Sequence, residues 1–182
     1  GLDIQMLLPL HGFVWRQDLG YILGKYDLWS RYEPEQRGVV IAYASVYGGT
    51  ENAANILACR LREQGVQVEM FDTSVTPASY ILAAAFRFSH VVLAAPTYNG
   101  GVFVTMENLL HDLTAHGLKG RRAAYIENGS WAPTSARGMQ KLLEPLNWET
   151  AADTVTLRSA LRQGQQEDLE RMAAQLAESV KA

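Results

Sequence analysis

The feature that most constrains the fold is a regular alternation of short apolar runs and amphipathic helical stripes from Gly38 onward. Each apolar run has the composition of a buried strand, and only short loops separate it from the next stripe. The predicted strands cover residues 39–44, 66–71, 90–95, 123–126 and a stretch within 148–157. This order predicts an α/β fold, a three-layer α/β/α sandwich around a five-stranded parallel sheet of order 2-1-3-4-5.

The helices between and after these strands are predicted from apolar residues at i, i+3, i+4 and i+7. The first helix carries Ala54, Leu57, Ala58 and Leu61, and Gly65 follows it as a stop signal. The second helix is predicted to start at Thr76-Pro77, with Thr76 as the N-cap and Pro77 at the first helical position. The later stripes fall within residues 106–113, 139–146 and 169–180.

Composition narrows the class of protein further. The 182 residues suffice for one domain with a proper core and a short appendage, and 48% of them are hydrophobic. The net charge of −3 argues against a nucleic-acid binder that uses a basic face. The single cysteine, Cys59, precludes an intrachain disulfide, and neither a signal sequence nor a membrane-spanning run is present. We therefore expect a cytoplasmic protein that does not associate with membranes.

The first 37 residues differ from the rest of the chain. Apolar and polar residues alternate over positions 2–8, which predicts a short strand. A helical stripe then runs from Trp15 to Trp29, and the polar segment 30–37, which contains Pro34, has the composition of a linker. A strand and one helix cannot bury themselves alone. We therefore predict two parts, residues 1–37 from the end of a neighbouring domain and residues 38–182 as the α/β domain.

A loop with the features of a phosphate-binding site follows the first strand. It contains hydroxyl and glycine residues but no Lys or Arg: Ser45, Val46, Tyr47, Gly48, Gly49, Thr50 and Glu51. Free backbone N–H groups at a helix N-terminus attract anions. The loop lacks the Gly-Lys-Ser/Thr of a P-loop and the Gly-x-Gly-x-x-Gly of dinucleotide-binding folds. It predicts a phosphate held by N–H groups and hydroxyls, with a glycine-rich turn that binds nothing as the alternative.

Two further loops belong to the same predicted edge of the sheet, because the carboxyl ends of parallel strands meet there. The first has Pro96, Thr97, Tyr98, Asn99, Gly100 and Gly101, and the second has Glu127, Asn128, Gly129, Ser130 and Trp131. A flat isoalloxazine ring requires aromatic stacking and backbone hydrogen bonds at its pyrimidine edge. Tyr98 and Trp131 can stack, and the surrounding backbone can donate and accept. The three loops together match the requirements of FMN.

The same loops resemble those of a known family. Residues 45–51 resemble the FMN phosphate loop of flavodoxins, and residues 95–101 and 126–133 resemble segments of flavodiiron proteins, the A-type flavoproteins. Residues 9–16 and 26–34 resemble the end of the metallo-β-lactamase-like domain of that family and its linker to the flavodoxin-like domain. The resemblance covers nearly the whole chain. It implies a flavodoxin-like fold and an FMN-binding electron-transfer domain of an oxidoreductase.

In that family, a non-haem di-iron site in the N-terminal domain reduces dioxygen or nitric oxide with electrons from the flavodoxin-like domain. The resemblance implies a rubredoxin-like or other electron donor and a head-to-tail homodimer in which each FMN faces its partner's iron. His11 matches the last histidine ligand of the di-iron site, but the remaining ligands are absent here. A di-iron centre is therefore expected only in the intact parent enzyme, and no catalytic residue is expected in this chain.

One position departs from the family pattern. Gly49 occupies a place where many relatives have Asn. Because backbone N–H groups are expected to hold the phosphate, we predict that this change has a mild effect.

Three other functions are compatible with this fold class. A stand-alone FMN-dependent quinone or nitro reductase needs a nicotinamide site, and the short loops show no signature of one. A response-regulator module needs acidic residues where this chain has Ala44, Ser45, Ala95 and Pro96, which excludes it. A flavin-free docking domain remains an open alternative.

Several reactive or charged residues outside the loops are interpreted as structural. Cys59 is expected to be a small buried residue, because no histidine or basic partner is near it. Arg121 and Arg122 are expected in a solvated turn. His111 and His116 do not share a helix face and are expected at the surface.

Overall fold

The computed structural model describes residues 2–182. Its strands are β1 (Gln36–Tyr43), β2 (Val68–Asp72), β3 (Phe88–Tyr98), β4 (Gly101–Val102), β5 (Arg122–Asn128), β6 (Glu149–Thr150) and β7 (Val155–Leu157). Its helices are α1 (Leu19–Ser30), α2 (Gly49–Glu63), α3 (Ala78–Arg87), α4 (Val104–Ala115), α5 (Ser135–Leu143) and α6 (Gln163–Lys181), with a 3-10 turn at Glu144–Leu146. None of the helices in this range is both long and apolar enough to cross a bilayer.

The sheet confirms the predicted fold class. Its strands run in the order β2-β1-β3-β5, and β6 and β7 both pair in parallel with the outer side of β5. The fifth predicted strand is thus broken in two. Asp153 lies in the break, where its N–H and carboxylate hydrogen-bond to the side-chain amide of Gln175 on α6. These side-chain bonds replace sheet pairing at that point.

Two apolar layers enclose the sheet because the central strands are buried on both faces. Val40 and Ala42 of β1 face the layer that contains α3, α4 and α5, whereas Val39 and Ile41 face α2 and α6. These four side chains are completely buried. Alternate residues of one strand therefore pack against different helices, which explains why β1 is apolar throughout.

The N-terminal segment differs from the prediction. Residues 2–8 form no strand, and the segment makes a single antiparallel bridge between Leu7 and Trp15. A short strand without a neighbouring sheet has no partner for its backbone groups, which is why alternation alone was misleading. The helix begins at Leu19 rather than Trp15, and none of its residues is buried.

Glu35 anchors α1 to the domain. Its carboxylate accepts hydrogen bonds from the Lys25 ammonium and from Trp29 Nε1, the latter at 2.6 Å. Burial raises the pKa of the Glu35 carboxyl, but the hydrogen bonds from Lys25 and Trp29 and the charges of Lys25 and Arg87 outweigh it and lower the pKa. The end of α1 therefore has a fixed ionic contact, although the apolar residues of the helix are only partly buried.

Arg122 is the first residue of β5 rather than part of a turn, and the expectation of a solvated turn was wrong for Arg121 as well. This guanidinium is buried, and it donates to the carbonyl oxygens of Ala85 at 2.7 Å and Phe86 at 2.6 Å, in the last turn of α3. It also donates to Tyr32 and to the turn at residues 119–120. Desolvation lowers the pKa of Arg121 to about 10, so the charge persists at neutral pH. The last turn of a helix has unpaired carbonyls and a negative dipole end, which stabilise a cation there.

Two smaller expectations also differ from the structure. Cys59 is exposed on α2, because it lies one residue beyond the buried Ala58 and one residue turns the helix by about 100°. Thr76 does not cap α3, which has Pro77 at its N-cap position. His111 and His116 are exposed, as predicted.

His90, at the start of the central strand, is buried. Its Nδ1 lies 2.8 Å from the Ser89 hydroxyl and its Nε2 lies 2.9 Å from the Ser179 hydroxyl of α6. Desolvation, followed by the charges of Arg122 and Arg37, lowers the pKa of His90 to about 4. The native state therefore holds this imidazole neutral.

We predict that substituting Arg121 destabilises the fold. Arg121→Ala removes the donor for several buried carbonyls, and we expect it to lower the free energy of unfolding by about 2–4 kcal/mol. Arg171 is an exposed control, because within residues 2–182 it pairs only with surface carboxylates. Arg171→Ala should change stability by less than about 1 kcal/mol. Urea denaturation measures both, and equal small effects would contradict the role of Arg121.

We predict that His90 lowers the free energy of unfolding as the pH falls below about 6.5. Its folded pKa of about 4 lies below the unfolded value of about 6.5, so the unfolded state binds more protons between them. The contribution is complete above about pH 6.5, and about 3 kcal/mol of it is lost as pH falls to 4. His90→Asn should flatten this dependence in urea titrations, whereas His111→Asn, at an exposed site, should retain it.

Candidate functional site

A cleft of about 370 Å³ lies at the edge of the sheet where β1, β3 and β5 end. This volume lies within the range of about 300–1,000 Å³ that is typical of small-molecule sites. The cleft is lined by Ser45, Val46, Tyr47, Gly49, Thr50, Pro96, Thr97, Tyr98, Asn128, Gly129, Ser130, Ser159 and Ala160. Ligands of doubly wound sheets bind at this edge, beside the strand where the order reverses.

The loop between β1 and α2 forms one wall. Gly48 has a φ of 82°, and its N–H donates to the Ser45 hydroxyl at 3.1 Å. No side chain caps α2, and the first backbone bond into the helix runs from Asn52 N–H to Gly48. Among residues 2–182, no backbone partner is found for the N–H groups of Gly49, Thr50 and Glu51. These unpaired donors at a helix N-terminus suit an anion.

Asn128, at the end of β5, connects the walls of the cleft. Its side chain is buried, and its Nδ2 donates to Thr50 Oγ1 at 3.2 Å and to the Ser159 carbonyl at 2.9 Å. Its Oδ1 accepts from the Ser159 N–H at 2.9 Å. One amide thus joins the start of α2, the end of β5 and the loop between β7 and α6.

A tight hairpin forms the second wall. Tyr98 and Gly101 pair across the β3–β4 turn, whose two central residues, Asn99 and Gly100, have φ values of 49° and 75°. Two consecutive positive φ angles characterise the type I′ hairpin turn, and Asn-Gly is its preferred sequence. The sequence carried this signal, but the predicted loop contained no strand pair.

Thr97 supports the hairpin from behind. Its Oγ1 accepts from the N–H groups of Thr134 at 2.8 Å and Ser135 at 3.1 Å, at the start of α5. Glu127 serves the same helix, because its carboxylate accepts from the Ala136 N–H at 3.1 Å and from the Thr156 hydroxyl at 2.9 Å. Thr97 and Glu127 therefore cap α5 and fix the loop that precedes it.

Aromatic side chains at the rim of the cleft are unusually exposed. Tyr47 is 98% exposed, Trp131 is 90% exposed and Tyr98 is 51% exposed. The Tyr98 ring makes an edge contact with Phe103, with 5.5 Å between centroids, and Arg158 donates to the Trp131 carbonyl at 3.2 Å. Several large aromatic rings left in water around one cleft are typical of a surface that receives a flat ligand or a partner.

The cleft brings together most of the residues that the sequence singled out. Gly48, Asn99, Gly100, Gly101 and Trp131 belong to the same loops but do not line it. Sequence reasoning missed Ser159 and Ala160, which follow β7. The break between β6 and β7 obscured the carboxyl end of the last strand, which would have pointed to these two small residues.

The described residues do not fit a di-iron centre. His11 is exposed in the segment that precedes α1, and no group of three or more His, Cys, Asp or Glu side chains placed to hold a metal occurs between residues 2 and 182. One imidazole is far short of the ligand set of such a site.

Comparison with known proteins gives the same picture as the geometry. No family model matches the chain. It is 29% identical over 143 residues to a nitric oxide reductase of Moorella thermoacetica and 26% identical over 157 residues to an anaerobic nitric oxide reductase flavorubredoxin of Vibrio vulnificus. These matches cover 79% and 85% of this chain but only 35% and 32% of those relatives. The chain thus spans about a third of their length.

Solved structures share the fold. Rubredoxin oxygen:oxidoreductase from Desulfovibrio gigas superposes with a TM-score of 0.90 at 22% identity, over 97% of this chain and 44% of that one. The flavodiiron protein from Giardia intestinalis gives 0.86 at 21% identity, over 98% of this chain and 44% of that one. A flavodoxin from Streptococcus pneumonia TIGR4 gives 0.67 at 24% identity, over 78% of this chain and 98% of its own.

The fold and the position of the cleft define a flavodoxin-like α/β domain. Flavodiiron proteins are among the homologues and structural neighbours of this chain, as the sequence resemblance predicted. The named relatives are oxidoreductases.

We predict that Thr97 stabilises the site through α5. Thr97→Val leaves the N–H groups of Thr134 and Ser135, at the start of α5, without an acceptor, so we expect a loss of about 1–2 kcal/mol in the free energy of unfolding. Thr154 is an exposed loop residue, and Thr154→Val is the matched control. If thermal or urea denaturation shows the same stability for both variants, the capping role is wrong.

Proposed function

We propose that this chain binds FMN and acts as the electron-transfer domain of a flavodiiron oxidoreductase. The observation that carries the proposal is the unpaired N-terminus of α2 beside an aromatic rim at the switch point of the sheet. The relatives support it, because they are flavodiiron proteins and flavodoxins.

The residues of the cleft fit a phosphate monoester at one end. The N–H groups of Gly49, Thr50 and Glu51 are free to donate to phosphate oxygens. The loop has no Lys or Arg side chain that would compete with these N–H groups for the phosphate oxygens. Thr50 Oγ1 accepts from Asn128, which leaves the Thr50 hydroxyl proton for the ligand. Backbone dipoles, rather than side-chain charges, hold the phosphate in this proposal.

The other end fits a flat ring. Tyr98 and Trp131 flank the hairpin and the loop after β5, and both rings are exposed at the rim. Stacking there would cover their apolar faces and shield the ring from water. FMN, when bound, supplies the redox chemistry, and the chain contributes binding, orientation and a low-dielectric wall.

The remaining features of the proposal concern the intact protein. Residues 1–37 are the end of a metallo-β-lactamase-like domain with its linker and residues 38–182 form the FMN-binding domain; Gly1 lies outside the described residues. The parent enzyme passes electrons from a rubredoxin-like donor through FMN to a di-iron site that reduces dioxygen or nitric oxide, and His11 is one ligand of that site. We further propose a homodimer in the cytoplasm. The names of the relatives, which include a flavorubredoxin and a rubredoxin oxygen:oxidoreductase, support the donor and the substrates.

A stand-alone quinone or nitro reductase was the alternative. No feature of the cleft or of the relatives favours it.

Flavin binding tests the proposal directly. The purified chain should retain FMN after excess flavin is removed by gel filtration, with a visible flavin absorption band that denaturation releases as FMN. We expect FMN to bind at least about tenfold more tightly than riboflavin, because several charge-assisted hydrogen bonds to phosphate each contribute about 1 kcal/mol or more. Quenching of flavin fluorescence gives both dissociation constants. A chain that takes up neither flavin would contradict the proposal.

A further inference from the structure

We propose that Ser159, in the loop between β7 and α6, is a positioning residue for the phosphate end of the cleft, and that its carbonyl makes glycine obligatory at position 49. The inference rests on the proposed function, since it concerns how the chain holds the FMN phosphate. It also reverses the expectation that Gly49 is a mild departure from the family pattern.

The conformation of Ser159 is unusual and is held from outside. Its φ of 66° lies in the left-handed region, which residues with a Cβ rarely adopt. Both of its backbone polar groups bond to the Asn128 side chain, the N–H to Oδ1 and the carbonyl to Nδ2, each at 2.9 Å. The Asn128 amide is itself buried, so this reciprocal pair fixes the direction of the carbonyl.

That carbonyl lies against the first residue of α2. A Cβ placed on Gly49 would overlap the Ser159 oxygen, and it would lie 3.2 Å from Asn128 Nδ2. The obstacle is backbone, so no rotation of a side chain could relieve the overlap. The Ser159 carbonyl therefore occupies the space that any other residue at position 49 would need.

The contact has a consequence for the ligand. Gly49 and Thr50 begin α2, where the unpaired N–H groups are available to the phosphate of the proposed ligand. Asn128 Nδ2 donates to both the Thr50 hydroxyl and the Ser159 carbonyl and so links the two residues. A free carbonyl oxygen beside a phosphate would repel it, but here Asn128 donates to the Ser159 oxygen. The Ser159 hydroxyl lies 3.0 Å from the Ser130 hydroxyl, and this contact joins the loop after β5 to the same network.

The network holds the phosphate end of the cleft in this proposal; the alternative is that it supports the fold without affecting the ligand. Comparing FMN with riboflavin distinguishes these two cases. A role at the phosphate end predicts a selective loss of affinity for FMN, because riboflavin has the same ring and ribityl chain but no phosphate. General damage to the domain would weaken binding of both flavins alike.

The test compares wild type with Gly49→Ala, Ser159→Pro, and Gly164→Ala as a matched glycine control. Gly164 lies in the first turn of α6, where a Cβ added to it would meet no atom within 4 Å, and its φ is ordinary. Gly49→Ala displaces the Ser159 carbonyl or the start of α2. Ser159→Pro fixes φ near about −65° and removes the N–H that bonds to Asn128.

Fluorescence titration of FMN and of riboflavin should give a clear split. For Gly49→Ala and Ser159→Pro we expect FMN affinity to fall about tenfold or more while riboflavin affinity stays within about threefold, as for an interaction confined to one group of the ligand. Gly164→Ala should match wild type for both flavins. Far-ultraviolet circular dichroism shows whether each variant is folded. If Gly49→Ala does not fold, Ser159→Pro, in an exposed loop, still tests whether the loss of affinity is selective for FMN.

A double variant measures the energetic coupling between Asn128 and Gly49. Asn128→Ala releases the Ser159 carbonyl, so Gly49→Ala should weaken FMN binding less in that background than in wild type, which is the signature of residues in one network. Equal losses for FMN and riboflavin, or full FMN affinity in Gly49→Ala, would overturn the role of Ser159. Failure of the unmodified chain to bind any flavin would instead overturn the proposed function, and this proposal with it.

Discussion

The parallel register of β1, β3 and β5 is the constraint on which the rest of the structure depends. Ala42 pairs with Leu93, and Ala94 pairs with Ile126, so the three strands end side by side at one edge of the sheet. The loops after β1 and β5 lead into α2 and α5, whereas β3 leads into the hairpin with β4 that precedes α4. Because the middle of each strand is buried on both faces, polar residues lie mainly near the strand termini. The register thus gathers hydroxyls, amides and glycines from distant parts of the chain into one cleft.

Within the cleft, the start of α2 and the side chain of Asn128 have complementary roles. The helix leaves its first N–H groups unpaired, which favours an anion, and Asn128 holds the surrounding loops at fixed positions. A single buried amide can do this because it donates and accepts at the same time. The polar network is satisfied by the protein itself, and the unpaired helix donors are left for the ligand.

Much of the fold was predictable from the sequence, but polar residues outside the loops were not. Arg121 lies just before a predicted strand, and that position predicts a solvated turn. The guanidinium instead donates to carbonyls at the end of α3 and to the Tyr32 carbonyl, between α1 and β1. A sequence does not show which backbone carbonyls a side chain will reach. The strand predicted over residues 2–8 was wrong for a related reason, because alternation cannot show whether a pairing partner exists.

The sequence by itself determined the α/β alternation, the order of the sheet and the three loops that gather at its edge. Apolar periodicity and glycine placement are local properties, and they suffice for these features. Only the tertiary structure decided that the last strand is broken, that Ser159 enters the cleft and that its carbonyl fills the space beside Gly49. Those outcomes depend on contacts between residues that lie far apart in the chain, and no local pattern encodes such a contact.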